Sequence, residues 1–235
     1  DLKKSIVCGK NTIREYDKKI PKDLTAEEIL IRSGNIGSVR IGQKIGIEKF
    51  KSFLKKINVI NQIEFDIDEM GVPIPFKWGK CKLATISFGH GITTTPLQLA
   101  KGYAIISNGG FEINPTIIRK NKKRLIKYKK RIIKENVSKE INPILRKIVT
   151  SKEGTANLAD IKGYKIGGKT GTAEKIILGK YSSKKKINTF ASVFPISNPK
   201  FVLVVILDEP QINTEYIYNY RDGSNFKLKC STRNK

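Results

Sequence analysis

Apolar and polar positions follow a helical period through much of the first two-thirds of the chain and a strand-like pattern in the last third. Thr25-Ala26-Glu27-Glu28 opens the first helical stretch. The Thr hydroxyl can accept the amide proton of Glu28 while the Glu carboxylate reaches back to the amide of Thr25, which is a capping box. Ile29, Leu30 and Ile31 follow, so a helix is predicted over about residues 26 to 32, ending at Ser33-Gly34-Asn35. Helical character resumes after Asn35 with Ile36, Val39 and Ile41, and Gly46 punctuates it. Phe50, Phe53, Leu54 and Ile57 then repeat at helical spacing beside Lys51, Lys55 and Lys56. Residues 58–82 read as loop, because Gly71, Pro73 and Pro75 break any regular element. Thr95-Pro96-Leu97-Gln98 is a second capping box with Pro in the first turn, predicting a helix over about 96 to 107 that stops at Asn108-Gly109-Gly110. Ser138 is read as the cap of a further helix carrying Ile141, Ile144, Leu145, Ile148 and Val149.

The pattern then changes. Residues 164–175 surround Gly167-Gly168-Lys169-Thr170-Gly171-Thr172, and residues 189–196 and 201–207 are two β-rich runs joined by Ser197-Asn198-Pro199-Lys200. That is a hairpin signature. The second run, Phe201 to Leu207, is continuously apolar, which predicts a central strand with both faces covered. Helices first and antiparallel strands last predict an α+β fold.

Composition adds less than it first suggests. The 235 residues carry a formal charge of +25, the usual footprint of a nucleic-acid binder. Yet 37 of the basic residues are Lys and only 9 Arg, beside 36 Ile, 16 Asn and 8 Ala. Lys, Ile and Asn have A/T-rich codons, so genome composition accounts for much of the excess. Residues 119–134 hold ten Lys or Arg and are read as a solvated hairpin or helix face, ahead of a surface for anionic lipid, wall polymer or nucleic acid. Only Lys127-Tyr128-Lys129 interleaves an aromatic, which is thin support for base stacking. Cys8, Cys81 and Cys230 are widely spaced, and His90 is the sole histidine, so no zinc pattern is present and no disulfide is indicated. His90 and Trp78 are read as packing residues of loops. No apolar stretch is long enough to span a bilayer.

Two short motifs carry the candidate chemistry: Ser33-Gly34-Asn35 at the end of a capped helix, and Lys169-Thr170-Gly171-Thr172 on a strand. Either one alone is an ordinary helix terminus or strand edge. In this order and on these elements they resemble the transpeptidase domain of class B penicillin-binding proteins, whose set is Ser-x-x-Lys, Ser-x-Asn and Lys-Thr-Gly. The resemblance extends through residues 83–92, Thr95 to Ala100, residues 168–175 and Leu207-Asp208-Glu209-Pro210, and is closest to the division-specific (septal) branch.

That resemblance implies a β-lactamase/transpeptidase-like fold, with an antiparallel sheet packed against helices and a helical subdomain. It implies one domain over 1–235, incomplete at both ends. It implies a serine-type D,D-transpeptidase of septal peptidoglycan that takes D-Ala-D-Ala stem peptides and is acylated by β-lactams, with no cofactor or metal. Ser33, Asn35 and Lys169 are the implied catalytic residues, and Thr170, Gly171 and Thr172 the implied substrate-binding residues. Implied partners are stem peptides, β-lactams and membrane proteins of the divisome, with no nucleic acid. The implied location is the inner membrane, with the catalytic domain facing the periplasm.

Two departures accompany it. The family places its Ser-x-x-Lys nucleophile roughly fifty residues before Ser-x-Asn. Here the Ser-x-x-Lys matches, among them Ser52 with Lys55, Ser182 with Lys185, Ser183 with Lys186 and Ser197 with Lys200, all come after Ser33 and in the wrong order. The family also closes with a long helix, whereas the sequence after Lys229 has no amphipathic period. The expectation is a chain that starts after the nucleophile, is inactive alone, and is poorly stable because apolar area stays uncovered. The alternatives are an inactive fragment that binds wall peptide or a divisome partner, and a basic nucleic-acid-binding protein.

Overall fold

The structure is a computed structural model that describes residues 1–9, 11–67, 71–119, 130–177, 180–211, 216–219 and 225–228. Its elements, in chain order, are β1 (Ile6–Cys8), β2 (Asn11–Ile13), α1 (Ala26–Arg32), α2 (Asn35–Ile45), α3 (Ile47–Lys56), α4 (Lys80–Ser87), α5 (Pro96–Ser107), α6 (Glu135–Thr150), β3 (Gly167–Ile177), β4 (Lys180–Phe194), β5 (Phe201–Asp208), β6 (Tyr216–Asn219) and β7 (Asn225–Leu228). They form two compact units, one of Asp1–Lys169 with Ala191–Val204, the other of Thr170–Phe190 with Val205–Lys235.

The first unit is mainly helical. The expected capping box of α1 is present: Glu28 N–H donates to Thr25 Oγ1 at 3.2 Å and Thr25 N–H to Glu28 Oε2 at 2.8 Å. At α5, Gln98 N–H donates to Thr95 Oγ1 at 3.1 Å and Thr95 N–H to Gln98 Oε1 at 2.8 Å. β1 and β2 pair antiparallel, with Ile6 opposite Ile13 and Cys8 opposite Asn11. Leu2, Ile13, Ile29, Ile36, Val39 and Ala84 make one buried cluster, which joins the hairpin to α1, α2 and α4. Ile57, Val59, Ile105 and Ile133 make a second, under α5. Cys8 and Cys81 form a disulfide, with Cα atoms 5.2 Å apart, that ties β1 to α4. The cysteine spacing gave no indication of this bond.

Three further sequence readings are corrected. Residues 80–82 are helical rather than loop, because α4 begins at Lys80. The last long helix starts three residues before Ser138, with Lys134 at its N-cap. Ser138 is buried inside that helix and serves α5 instead: its hydroxyl donates to Ile106 O and accepts from Gly109 N–H at 3.1 Å. The third concerns the sheet, whose order is β3-β4-β5. β4 is the central strand, with Ala191, Ser192 and Val193 at most 2% exposed. Among the described residues β5 lies at one edge of this sheet, and its Phe201, Leu203, Val205, Ile206 and Leu207 are exposed. A continuous apolar run describes the two faces of a strand and says nothing of what pairs with its edges.

The second unit contains the remainder of β3, β4 and β5 and the antiparallel pair β6–β7, with Tyr216 opposite Leu228. Lys175 Nζ bonds Asp208 Oδ1 at 2.9 Å and Glu209 Oε1 at 2.8 Å, and Lys185 pairs with Glu209 at 3.3 Å. Donation to Glu209 and Asp208 holds the Lys175 ammonium above the usual lysine range, and the two lysines hold Glu209 below the usual carboxylate range. Most of the basic run (120–129) and Cys230 lie outside the described residues. Arg131, near the end of that run, stacks its guanidinium 4.4 Å from the Phe111 ring centroid and pairs with Glu135 at 2.8 Å.

Candidate active site

Ser33 terminates α1. Its N–H donates to Leu30 O at 3.3 Å, and the Gly34 N–H reaches Ile29 O at 2.9 Å. That pair of bonds is the Schellman closure, which needs a left-handed residue and usually takes Gly. Here the residue is Ser33, at φ 59° and ψ 41°. The turn leaves the Ser33 side chain exposed at the end of the helix.

Asn35, two residues on, opens α2. The N-cap of α2 is Gly34, which has no side chain to satisfy the first amides. They are satisfied from elsewhere: Asn35 N–H donates to Glu15 Oε2 at 2.8 Å and Ile36 N–H to Glu15 Oε1 at 2.6 Å. The Asn35 side-chain amide donates to Arg14 O at 2.9 Å. On the other side of Ser33, Arg32 pairs with Asp17 at 3.5 Å and with Glu153 at 2.7 Å. Sequence reasoning missed Arg14, Glu15, Asp17 and Glu153. No local pattern marks a carboxylate that caps a helix 20 positions away.

Lys169 is the third residue of β3. Its Nζ donates to Ser33 Oγ at 2.7 Å, across 136 positions of sequence. Thus the structure brings Ser33 and Lys169 together and sets Asn35 at the start of the adjoining helix. With a lone pair of Ser33 Oγ engaged by the lysine, the serine's own O–H is left to donate in another direction. Thr170, Gly171 and Thr172 continue β3, with Thr170 half-buried and the other two exposed. β3 is the other edge of the three-stranded sheet.

The glycines of β3 differ in purpose. A Cβ on Gly167 would lie 2.7 Å from Ile196 Cγ1 and 3.2 Å from the Arg146 backbone N, so internal packing demands this glycine. A Cβ on Gly171 would meet nothing nearer than Thr189 Cβ at 3.9 Å. His90 and Trp78, read from the sequence as loop packing residues, are both half-buried and each has an aromatic neighbour. The His90 ring lies 5.2 Å from Phe88, and the Trp78 ring lies 5.1 Å from Phe76.

Comparison with known proteins identifies the family. The model of the penicillin-binding protein transpeptidase domain matches residues 3–225. A probable peptidoglycan D,D-transpeptidase FtsI from Caulobacter vibrioides is 29% identical over 221 residues, covering 91% of this chain and 37% of that protein. Stage V sporulation protein D of Bacillus subtilis is 33% identical over 196 residues, covering 78% of this chain and 30% of that protein. Among solved structures, the transpeptidase domain of Burkholderia pseudomallei penicillin-binding protein 3 superposes with a TM-score of 0.79 at 26% identity, covering 87% of this chain and 62% of that one. Penicillin-binding protein 3 of Mycobacterium tuberculosis, solved with ampicillin, gives the same TM-score at 24% identity, covering 94% of this chain and 51% of that one. The chain spans 30–37% of the length of these two curated relatives. With the fold, the Ser33–Lys169 contact and a family match over nearly its whole length, the chain belongs to the penicillin-binding protein transpeptidase family.

Proposed function

We propose that this chain is part of a septal peptidoglycan D,D-transpeptidase, and that Ser33, Asn35, Lys169, Thr170, Gly171 and Thr172 form its share of the active site. The reading rests above all on the 2.7 Å hydrogen bond between Lys169 Nζ and Ser33 Oγ. The reaction transfers an acyl group in two steps. A serine hydroxyl attacks the penultimate D-Ala carbonyl, the C–N bond to the terminal D-Ala breaks, and an acyl-enzyme forms. An amine of a neighbouring stem then takes the acyl group. In this reading the attacking serine and its lysine belong to the part of the relatives' length that this chain does not span.

The leaving D-Ala nitrogen needs a proton as the C–N bond breaks. Ser33 supplies it through its O–H, and the Lys169 ammonium, bonded to Ser33 Oγ, orients that hydroxyl and supports its proton relay. Asn35 holds the stem-peptide backbone. Thr170 and Thr172 hydroxyls bind the terminal carboxylate of the stem peptide or of a penicillin. The Thr172 N–H provides one donor of the oxyanion hole. Open space at Gly171 suits a peptide lying along the strand edge. A β-lactam enters as a cyclic acyl donor whose amine cannot diffuse away, so the acyl-enzyme persists.

The same reading treats residues 1–235 as one partial transpeptidase domain, anchored at the inner membrane and facing the periplasm among the membrane proteins of the divisome. Its support is the FtsI relatives and the Cys8–Cys81 disulfide, a bond that persists in oxidising compartments. No described helix is long and apolar enough to cross a membrane. The test is covalent labelling by a fluorescent penicillin of the native gene product, tagged in its own locus, beside Ser33→Ala and Lys169→Met. The native protein should label, and each variant should acylate roughly 10²-fold or more slowly, the usual worth of a proton-transfer group. A native protein that gains no penicillin mass overturns the reading.

A further inference from the structure

We infer that the Arg14–Asp17 segment clasps the Ser33-Gly34-Asn35 turn, and that Glu15 is the positioning residue that holds this turn ready for acyl transfer. The inference rests on the proposed roles of Ser33 and Asn35.

Four contacts make the clasp. Glu15 accepts the first two amides of α2 on separate oxygens, at 2.8 and 2.6 Å. The Arg14 carbonyl accepts the Asn35 side-chain amide at 2.9 Å, and Asp17 pairs with Arg32 at 3.5 Å. Ser33 therefore sits between two residues, Arg32 and Asn35, that are both tied to the same four-residue segment.

The turn needs that restraint. Ser33 holds a positive φ of 59°, which an L-residue adopts only where its surroundings determine it. α2 has no cap of its own, because Gly34 offers no side chain. A carboxylate at the helix N-terminus replaces the missing cap and answers the partial positive charge there. Fixing the Asn35 nitrogen on Arg14 O also decides which end of its amide remains for a ligand. Among the described residues nothing bonds Asn35 Oδ1, so it is the acceptor presented to a peptide N–H. Without Glu15, the start of α2 frays and Ser33 Oγ loses its fixed place beside Lys169.

Glu15→Gln and Glu15→Asp in the native gene product test this. Gln keeps the size but turns an N–H₂ toward one of the two amides, whereas Asp keeps both acceptors on a shorter arm. Amide hydrogen exchange reads the clasp without any need for activity. Exchange at Asn35 and Ile36 should quicken about 10-fold or more in Glu15→Gln, and less in Glu15→Asp. In penicillin acylation, the rate constant of the covalent step should fall roughly 10²-fold in Glu15→Gln with little change in initial binding, and recover in part in Glu15→Asp. Should Glu15→Gln not fold, the same two measurements on Glu15→Asp, with smaller changes of the same sign, decide the matter. Unchanged exchange at Asn35 and Ile36, or a parental acylation rate in the folded variant, overturns the inference. A parent that takes up no penicillin overturns the transpeptidase reading instead, and hydrogen exchange still decides the role of Glu15.

Discussion

Gly42 lies in α2, seven residues after Asn35, where that helix packs on α4. Replacing it by Ala sets two effects against each other. In a helix interior Ala is favoured over Gly by about 1 kcal/mol. The added Cβ, however, would lie 1.9 Å from Ser87 Oγ and 2.9 Å from Ser87 Cβ. The hydroxyl can rotate away only by giving up its 2.7 Å bond to Leu83 O, worth about 1 kcal/mol. The Cβ contact yields only if α2 and α4 separate, an overpacking that costs about 1–3 kcal/mol. The clash wins, and Gly42→Ala should destabilise the chain by about 1–3 kcal/mol. Urea unfolding should show a lower midpoint at unchanged slope, and the melting temperature should fall by roughly 2–4 °C per kcal/mol in a chain of this size. Ser87→Gly combined with Gly42→Ala removes both clashing atoms, leaving Phe50 Cε2 at 3.8 Å, an ordinary contact. The double variant should regain most of the clash energy. A single Gly42→Ala at least as stable as the parent would refute the reasoning, because propensity would then outweigh packing at this contact.

Four other expectations follow from single residues. Ile148 is fully buried, so Ile148→Ala should cost about 2–5 kcal/mol in denaturant unfolding. Thr25→Ala removes the side-chain half of the α1 cap and should cost about 1 kcal/mol. The Thr25 backbone and side-chain bonds hold Glu28 below the usual carboxylate range, so its contribution is present above that range and is lost as pH falls through the folded value; Glu28→Gln should flatten the acid limb of stability against pH. Burial pushes the Tyr103 phenol up to about 12, so its contribution is full below the unfolded value and is lost as pH rises through the folded one. Tyr103→Phe should therefore lessen the alkaline loss of stability, and an unchanged alkaline limb would count against a buried phenol.

What the sequence disclosed depended on how local the cause was. α1 and α5 were legible because a capping box is written within four consecutive residues, and both boxes form as read. α4 was not, because it begins at an uncapped Gly79 just after a Pro-rich stretch and buries Leu83, Ala84 and Ile86 without a clean polar face. Ser138 looked like a cap because the residue type suits one. Its hydroxyl is spent on the end of α5, 32 residues earlier, a contact that no local rule reports. β5 was misplaced for a related reason: apolarity can be read from side chains, but strand order cannot. At the candidate site, Ser33, Asn35 and Lys169 were legible as motifs through family resemblance, since 136 residues separate the two that touch. Glu15 belongs to no motif, and only the fold brings it to the start of α2.

The disulfide bears on how the chain matures. Cys8 and Cys81 are consecutive cysteines, 73 positions apart, and Cys230 comes much later. In a chain exported as proposed above, an oxidase that joins cysteines in order of emergence meets Cys8 and Cys81 before Cys230. Refolding the reduced chain forfeits that ordering, because Cys230 competes for both partners from the start. Direction of emergence thus protects a pairing that the chain does not otherwise encode in its cysteine spacing.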